Sequence, residues 1–220
     1  MILFTAAAPP FMKNGFVLGC ERTRDAVVID PGDEVGDLLG FIGVERLAPV
    51  AILLTHAHVD HVSGVGRAKD ALEVPVWLHR DDQPLYERAA EQAMLFGLRM
   101  EAPPPVDHFY AGNGPWGRFG DYEVAVHHTP GHCPGGVCLE VNRVAEPIQL
   151  EGLFVGDTLF AGSIGRTDLP GGDYATLMRS ITQVLLGFPD AAVVHSGHGP
   201  DTTIGHERAT NPFVLEWLDS

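Results

Sequence analysis

A continuous apolar run that ends in a cluster of histidines constrains this fold more than any other feature. Residues 50–55, VAILLT, are rich in β-forming side chains and are followed at once by HAHVDH at 56–61. A run of this kind predicts a strand buried on both faces of a sheet. Polar side chains just past the carboxyl end of such a strand are typical of functional sites in α/β sheets. We therefore expect a layered fold with chemistry at a sheet edge.

Strand and helix signals alternate on both sides of this run. Strands are predicted at 15–21, 26–30, 50–55, 74–79, 122–129, 136–141, 148–156 and 191–196, and helices at 34–47, 61–72, 82–98, 173–187 and 203–210. The APPPV segment at 102–106 is a stiff connector. Two groups of strands with helices predict an α+β fold in which two sheets pack face to face with helices outside. We predict one domain over residues 1–220.

Composition narrows the class of partner. The formal net charge is −15, from 29 acidic and 14 basic residues, which argues against nucleic acid. No apolar run reaches the ~18 residues of a membrane span, and the amino terminus lacks the basic start of a signal peptide. The three cysteines form no CxxC pair. We therefore expect a cytoplasmic protein that meets a small molecule, neither a membrane nor a nucleic acid, and leave its oligomeric state open.

The spacing inside HAHVDH suits metal binding. In an extended segment His56 and His58 project the same way, whereas Asp60 and His61 point elsewhere as the next helix begins. One segment can thus supply ligands to two nearby points. Imidazole nitrogen and carboxylate oxygen are ligands for zinc, iron or manganese. Burying three adjacent histidines without a metal would be costly, so we predict a metal site.

Three further ligand-type residues follow other predicted strands. They are His132 in TPGH, Asp157 in GDTLF and His198 in GHGP. Each one alone is a weak signal, but with the first motif they make seven candidates. A structural zinc site is closed and needs only four ligands. The set therefore favours an enzyme over a purely structural or sensory metal site.

The four motifs THAHVDH, TPGH, GDTLF and GHGP, in that order, resemble the metallo-β-lactamase fold superfamily. FVGDTLFAGSIGRTDLPGGD and SGHGPDTTIGHERATNPF are similar to its glyoxalase II, or hydroxyacylglutathione hydrolase, branch in a short form. The resemblance implies a four-layer αββα sandwich with the site at one edge of the two sheets. It also implies that one metal is bound by His56, His58 and His132, the second by Asp60, His61 and His198, and both by Asp157. Asp60 is in addition predicted to be catalytic.

The implied cofactors are two divalent ions, with zinc preferred over iron or manganese. A hydroxide between them would attack a thioester such as S-lactoylglutathione. Arg166 matches a position that binds the glycine carboxylate of glutathione, although it could instead pair with Asp168 in the same loop. Asp30 and His128 are predicted to orient ligand histidines from behind, with a plain turn as the alternative for Asp30.

A second enzyme class resembles this one through GRTD. It is a mononuclear non-haem iron persulfide dioxygenase acting on glutathione persulfide, with two histidines and one aspartate on a single iron. Here these would be His56, His132 and Asp157. The GHGPDTTIGHERATNPF tail favours the hydrolase.

Overall fold

The computed structural model describes residues 1–219, which divide into two compact units. The first contains Met1–Tyr110 and Arg118–Tyr122, and the second contains Ala111–Gly117 and the chain from Glu123 onward. The prediction of one domain over residues 1–220 stays a prediction.

The first unit is built on a mixed sheet with the strand order β1-β2-β3-β4-β5-β6. The strands are β1 Ile2–Ala8, β2 Lys13–Gly19, β3 Asp25–Ile29, β4 Ala48–Leu53, β5 Val76–Leu78 and β6 His108–Phe109. β1 to β3 pair antiparallel, and β3 to β6 pair parallel. The helices are α1 Val35–Glu45, α2 Val59–Val62, α3 Val65–Leu72, α4 Gln83–Glu87 and α5 Ala89–Leu95.

The second sheet, most of which lies in the second unit, has the order β14-β13-β10-β9-β8-β7. Its strands are β7 Gly114–Phe119, β8 Tyr122–His128, β9 Val137–Arg143, β10 Gln149–Gly156, β13 Val193–Ser196 and β14 Thr202–Thr203, and β11 Leu159–Phe160 and β12 Ser163–Ile164 form a separate hairpin. β10 is antiparallel to β9 and parallel to β13. The helices are α6 Tyr174–Arg179, α7 Ile204–Thr210 and α8 Pro212–Leu218.

The apolar run that precedes the histidines is buried, as predicted. β4 lies between β3 and β5, and Ala51, Ile52, Leu53 and Leu54 have no exposed surface. Ile52 and Leu54 join a core that includes Val28, Leu38 and Val76. The α+β class and the two sheets agree with the sequence-based prediction.

The helix predicted at 61–72 is interrupted. α2 ends at Val62 and α3 begins at Val65, because the Gly64 N–H donates to the Pro31 carbonyl at 3.0 Å and so leaves the helical ladder. A Cβ on Gly64 would lie 2.2 Å from the Gly32 carbonyl oxygen, so the close approach requires glycine.

The helix predicted at 82–98 is also two helices, α4 and α5, divided at Arg88. In a continuous helix the Leu85 carbonyl would accept the Ala89 N–H. Here it accepts the Arg88 N–H at 3.2 Å and the Gln92 side-chain amide at 2.8 Å. No helix within residues 1–219 has the length and apolar character needed to cross a membrane.

Candidate metal centre

The segment His56–His61 leaves the end of β4 and enters α2 within the first unit. The imidazoles of His56, His58 and His61 are buried, and the side chain of Asp60 is 13% exposed. The centroid of the His56 ring lies 5.0 Å from that of His58 and 4.0 Å from that of His61. Such a concentration of buried nitrogen donors needs polar compensation.

Asp30, at the end of β3, fixes the ring of His61. Its Oδ2 atom lies 2.9 Å from His61 Nδ1 and accepts the Thr55 hydroxyl at 2.5 Å. Its Oδ1 atom accepts the Thr55 N–H at 2.7 Å. An ionised carboxylate can only accept, so His61 Nδ1 carries the proton and donates it.

The same logic fixes His56. The Thr55 hydroxyl has one hydrogen, which it gives to Asp30, yet Thr55 Oγ1 also lies 3.1 Å from His56 Nδ1. The hydroxyl oxygen must therefore accept from His56 Nδ1. His56 and His61 both keep a lone pair on Nε2, which is the form that binds a metal ion.

Two side chains hold the backbone between the histidines. Asp82 is fully buried and its Oδ2 accepts the Ala57 N–H at 2.9 Å. The Gln92 amide accepts the Val59 N–H at 3.2 Å and donates to the Ala57 carbonyl at 3.3 Å. Hydrogen bonds to the N–H and the carbonyl of Ala57 therefore hold the segment between His56 and His58 in place.

In the second unit Asp157 stands beside two histidines. Its Oδ2 lies 3.6 Å from His132 Nε2 and 3.6 Å from His198 Nε2. Asp157 follows β10 and His198 follows β13; these strands are parallel neighbours, so their carboxyl ends meet at one sheet edge. The Gly197 N–H fastens the two strand ends by donating to the Gly156 carbonyl at 2.9 Å.

His132 is held in the same tautomer as His56 and His61. Its Nδ1 atom lies 2.8 Å from the Arg166 carbonyl oxygen, which can only accept, so Nε2 keeps the lone pair and faces Asp157. Nitrogen donors in this form beside carboxylate oxygens suit zinc, iron or manganese. The residues present in each unit therefore fit a divalent metal.

Comparison with known proteins decides the family. A model of the metallo-beta-lactamase superfamily matches residues 8–198. The chain belongs to the metallo-β-lactamase superfamily. Its α+β fold with two mixed sheets is the fold of that family, as the sequence motifs predicted.

Curated relatives match this superfamily member over most of its length. A protein of Aquifex aeolicus is 39% identical and covers 100% of both chains. The probable metallo-hydrolase YqgX of Bacillus subtilis is 37% identical over 93% of both chains. The hydroxyacylglutathione hydrolase GloC of Haemophilus influenzae is 38% identical over 87% of this chain and 88% of its own. The family and these relatives support a metal-dependent hydrolase.

Solved structures agree. BLEG-1, a B3 metallo-beta-lactamase, superposes with a TM-score of 0.86 and 38% identity over 97% of this chain and 99% of its own. TTHA1623, solved in a di-iron-bound form, superposes with a TM-score of 0.82 and is 43% identical in sequence over 96% of this chain and 99% of its own. ETHE1 of Myxococcus xanthus superposes with a TM-score of 0.77 over 100% of this chain and 91% of its own. Its sequence identity of 23% supports a shared fold alone.

Arg166 lies in the loop of this metallo-β-lactamase-superfamily protein that follows β12. Its Nε and Nη2 atoms donate to the two carboxylate oxygens of Asp168, each at 2.7 Å, and the pair is exposed. Because Arg166 donates to it, the pKa of Asp168 falls from 3.8 to about 2. The local pair considered in the sequence is therefore present, and the substrate-binding role stays a prediction.

The two residues predicted to orient ligands differ. Asp30 contacts His61 directly, as described above. The ring of His128 instead has its Nε2 atom 2.9 Å from the Pro134 carbonyl oxygen, in the loop that leads from His132 to β9. Its contact is thus with the backbone of the ligand loop, and its orienting role stays a prediction.

Sequence reasoning missed Thr55, Asp82 and Gln92. Thr55 precedes the first histidine and could have been found from the motif itself, since a hydroxyl there can reach a neighbouring ring. Asp82 precedes α4 as a helix-capping residue would, yet α4 receives no side-chain hydrogen bond from it. Gln92 lies 33 residues from Val59, and no local pattern marks a contact at that separation.

Proposed function

We propose that this protein hydrolyses a thioester of the hydroxyacylglutathione type with two divalent metal ions. The observation that carries the proposal is the 38% identity to the hydroxyacylglutathione hydrolase GloC of Haemophilus influenzae over 87% of this chain. The proposed substrate is a small-molecule thioester such as S-lactoylglutathione.

The ligands are assigned by motif. In this proposal one ion is bound by His56, His58 and His132, the second by Asp60, His61 and His198, and Asp157 binds both. The tautomers of His56, His61 and His132 support it, because each ring has Nδ1 committed to an acceptor and Nε2 available as a ligand. The equal distances from Asp157 Oδ2 to the two histidines of its unit suit a shared carboxylate.

The metal ions, when bound, would supply hydroxide at neutral pH and a Lewis acid for the carbonyl oxygen. The protein's own residues hold and orient the candidate ligand histidines. Asp30 and Thr55 fix two rings, and the Arg166 carbonyl fixes a third. The leaving group is a thiolate, whose parent thiol ionises near pH 8.5, so a separate general acid is not required.

Arg166 is proposed to bind the glycine carboxylate of the glutathione portion. Its Nε and Nη2 atoms serve Asp168, and the exposed guanidinium has further donors on Nη1. Binding of a substrate carboxylate would either use those donors or replace Asp168. Arg166→Gln should therefore raise KM for a glutathione thioester more than it lowers kcat.

A second candidate is β-lactam hydrolysis, favoured by the 38% identity to BLEG-1 over 97% of this chain. It would use the same ligands and differ in what surrounds the substrate. The persulfide dioxygenase alternative, with His56, His132 and Asp157 on one iron, rests on the GRTD motif alone. The di-iron form of TTHA1623 makes iron a metal to test beside zinc.

One set of measurements separates these activities. Metal content is determined by elemental analysis, and the same preparation is assayed with S-lactoylglutathione, with a chromogenic β-lactam, and for oxygen uptake with glutathione persulfide. We expect about two metal equivalents and thioester cleavage as the dominant activity. One iron per chain with oxygen uptake and no thioester cleavage would overturn the proposal, as would β-lactam cleavage alone.

Variants test the assignment to two ions. Asp60→Ala and His198→Ala should each lose about one metal equivalent and most of the activity. His206→Ala, which alters an exposed histidine in α7 outside the ligand motifs, is the control and should keep both metal equivalents and the activity. Full activity with one metal in either ligand variant would contradict the assignment.

A cytoplasmic location is part of the proposal. It is supported by cysteine chemistry, since none of the three cysteines within residues 1–219 is in a disulfide.

A further inference from the structure

Beneath Asp30 lies a buried ion pair. The side chains of Lys13 and Glu34 are each 1% exposed, and Lys13 Nζ lies 2.6 Å from Glu34 Oε1. Two charges removed from water are costly, and the cost is met only when each also makes good hydrogen bonds. The further partners of this pair therefore show what it holds in place.

The backbone groups that Lys13 and Glu34 bind both lie on the turn that follows β3. Lys13 Nζ donates to the Asp30 carbonyl, and Glu34 Oε1 accepts the Gly32 N–H at 2.9 Å. Pro31, between them, has no N–H to donate. The ion pair thus clamps the turn on both sides of the proline.

Two glycines make room for the clamp. A Cβ on Gly15 would lie 2.0 Å from Glu34 Oε1. A Cβ on Gly32 would lie 2.1 Å from the Asp60 carbonyl oxygen and 2.8 Å from Lys13 Cε. The turn is therefore packed directly against the segment that carries the candidate ligands Asp60 and His61.

The clamped turn holds Asp30 in an unfavourable conformation. Its φ is 48°, in the left-handed region that a non-glycine residue rarely adopts, and proline follows it. Such a residue persists only where its surroundings over-determine it. From this conformation its carboxylate reaches Thr55 and His61.

We propose that Lys13 and Glu34 are positioning residues for His61, acting through the backbone of the Asp30–Gly32 turn. Loss of the clamp lets Asp30 relax to a negative φ, which withdraws its carboxylate from His61 Nδ1 and frees the ring to change tautomer. The consequence for metal binding rests on the proposed role of His61 as a ligand.

The test begins with metal-free protein. Long-range ¹H–¹⁵N NMR of the imidazoles reports the tautomer of each histidine. In the wild type we expect His61 to be protonated at Nδ1. In Lys13→Met and Glu34→Gln we expect a second population of His61 protonated at Nε2, while His132 keeps its wild-type signals.

Zinc affinity is then measured by competition with a chromophoric chelator. Loss of groups that support a ligand from behind typically weakens metal binding about 10–100-fold. We expect about tenfold weaker zinc binding in Lys13→Met and Glu34→Gln than in the wild type. A general loss of packing would not leave the His132 signals unchanged.

Controls separate positioning from destabilisation. Lys69→Met removes a lysine that pairs with Asp107 at the surface, and Val141→Ala opens a cavity in β9; both should leave the His61 signals unchanged. If a single variant does not fold, Lys13→Met/Glu34→Met removes both charges together and is tested in its place.

Folded variants with wild-type His61 signals and wild-type zinc affinities would overturn the inference. Failure of the proposed function is a different result: the wild type would bind no metal or cleave no thioester. In that case the His61 tautomer in the metal-free protein still decides whether Lys13 and Glu34 position the ring.

Discussion

At the residue scale, Asp30 has the largest share in orienting the histidine cluster. It accepts hydrogen bonds from the Thr55 N–H, the Thr55 hydroxyl and the His61 ring. The Thr55 hydroxyl passes the constraint on to His56. One carboxylate therefore determines the usable nitrogen of two rings.

Asp30→Asn should weaken metal binding about 10–100-fold, because an amide cannot accept all three bonds and offers its own N–H groups to the ring. The measurement is zinc affinity by chelator competition. Asp33→Asn, three residues along, is the matched control: Asp33 is exposed and bonds only Ser63 at 3.0 Å. Equal affinities in the two variants would contradict this role for Asp30.

The Arg166–Asp168 pair gives a pH dependence. The pKa of Asp168 is lowered from 3.8 to about 2, first by the hydrogen bond from Arg166. Any stability from this exposed pair is complete above the unfolded pKa and is lost as the pH falls through about 2. Carboxyl ¹³C NMR should show the pKa rising toward 3.8 in Arg166→Gln. An unchanged Asp168 titration in that variant would show that Arg166 is not the cause.

At the element scale, the central strands were predictable and the helix interruptions were not. The run VAILLT identified β4 because a strand paired on both sides excludes polar residues. The breaks at Gly64 and Arg88 arise where a backbone group bonds a distant partner, the Pro31 carbonyl in one case and the Gln92 side chain in the other. Local periodicity carries no record of such partners.

The helix predicted at 173–187 shows the same limit. After α6 the chain continues as a π-helical turn over Ser180–Val184 and a 3-10 turn over Leu185–Gly187. Ser180 Oγ donates to the Pro130 carbonyl at 2.6 Å. In contrast, α8 had a readable signal that was missed, since Asn211 caps it and Pro212 is its first residue.

The candidate ligands could be singled out in the sequence because each follows a strand within a short motif, and their role as ligands stays a prediction. The residues that hold these side chains in place were harder to predict. Asp82, on the segment before α4, accepts the Ala57 N–H from 25 residues away. A contact of that kind depends on how α4 packs against the histidine segment, which the spacing of apolar residues does not specify.

Asp82→Ala should destabilise the fold by about 1–3 kcal/mol, because the buried Ala57 N–H would lose its acceptor. Urea denaturation measures the change. Asp81→Ala removes the neighbouring carboxylate, which is exposed, and should cost less than about 0.5 kcal/mol. Similar losses for both would mean that the Asp82 bond contributes nothing specific.

Gly165→Ala should disturb the loop after β12. A Cβ there would lie 1.8 Å from the Asp157 carbonyl oxygen and 3.2 Å from His132 Nδ1. We expect a lower melting temperature and weaker metal binding together. Gly117→Ala is the matched control, since a Cβ there meets nothing within 4 Å. Wild-type metal affinity in Gly165→Ala would contradict the close approach.

At the scale of the whole molecule, the strongly negative charge and the histidine clusters both favour cations. A net charge of −15 raises the local concentration of cations around the chain. A ligand that binds only the folded state stabilises it by mass action. Stability should therefore depend on metal loading.

Removal of metal by a chelator should lower the melting temperature. At a free metal concentration 100 times the dissociation constant the stabilisation is about 2.7 kcal/mol. For a chain of this size that corresponds to roughly 5–10 °C. Differential scanning calorimetry measures it, and Asp60→Ala should show a smaller shift. A melting temperature indifferent to chelator would exclude metal binding by the folded state.

The hydrogen bonds made by three of the candidate ligand histidines also determine whether these side chains can transfer protons. His56, His61 and His132 each give their Nδ1 proton to a fixed acceptor. If Nε2 holds a metal, such a ring has no position left at which a moving proton can be taken up or released. These imidazoles would then be spectators of every proton transfer during turnover. The bends in a pH–rate profile, and any slowing in deuterium oxide, would have to originate in water, in substrate or in other side chains.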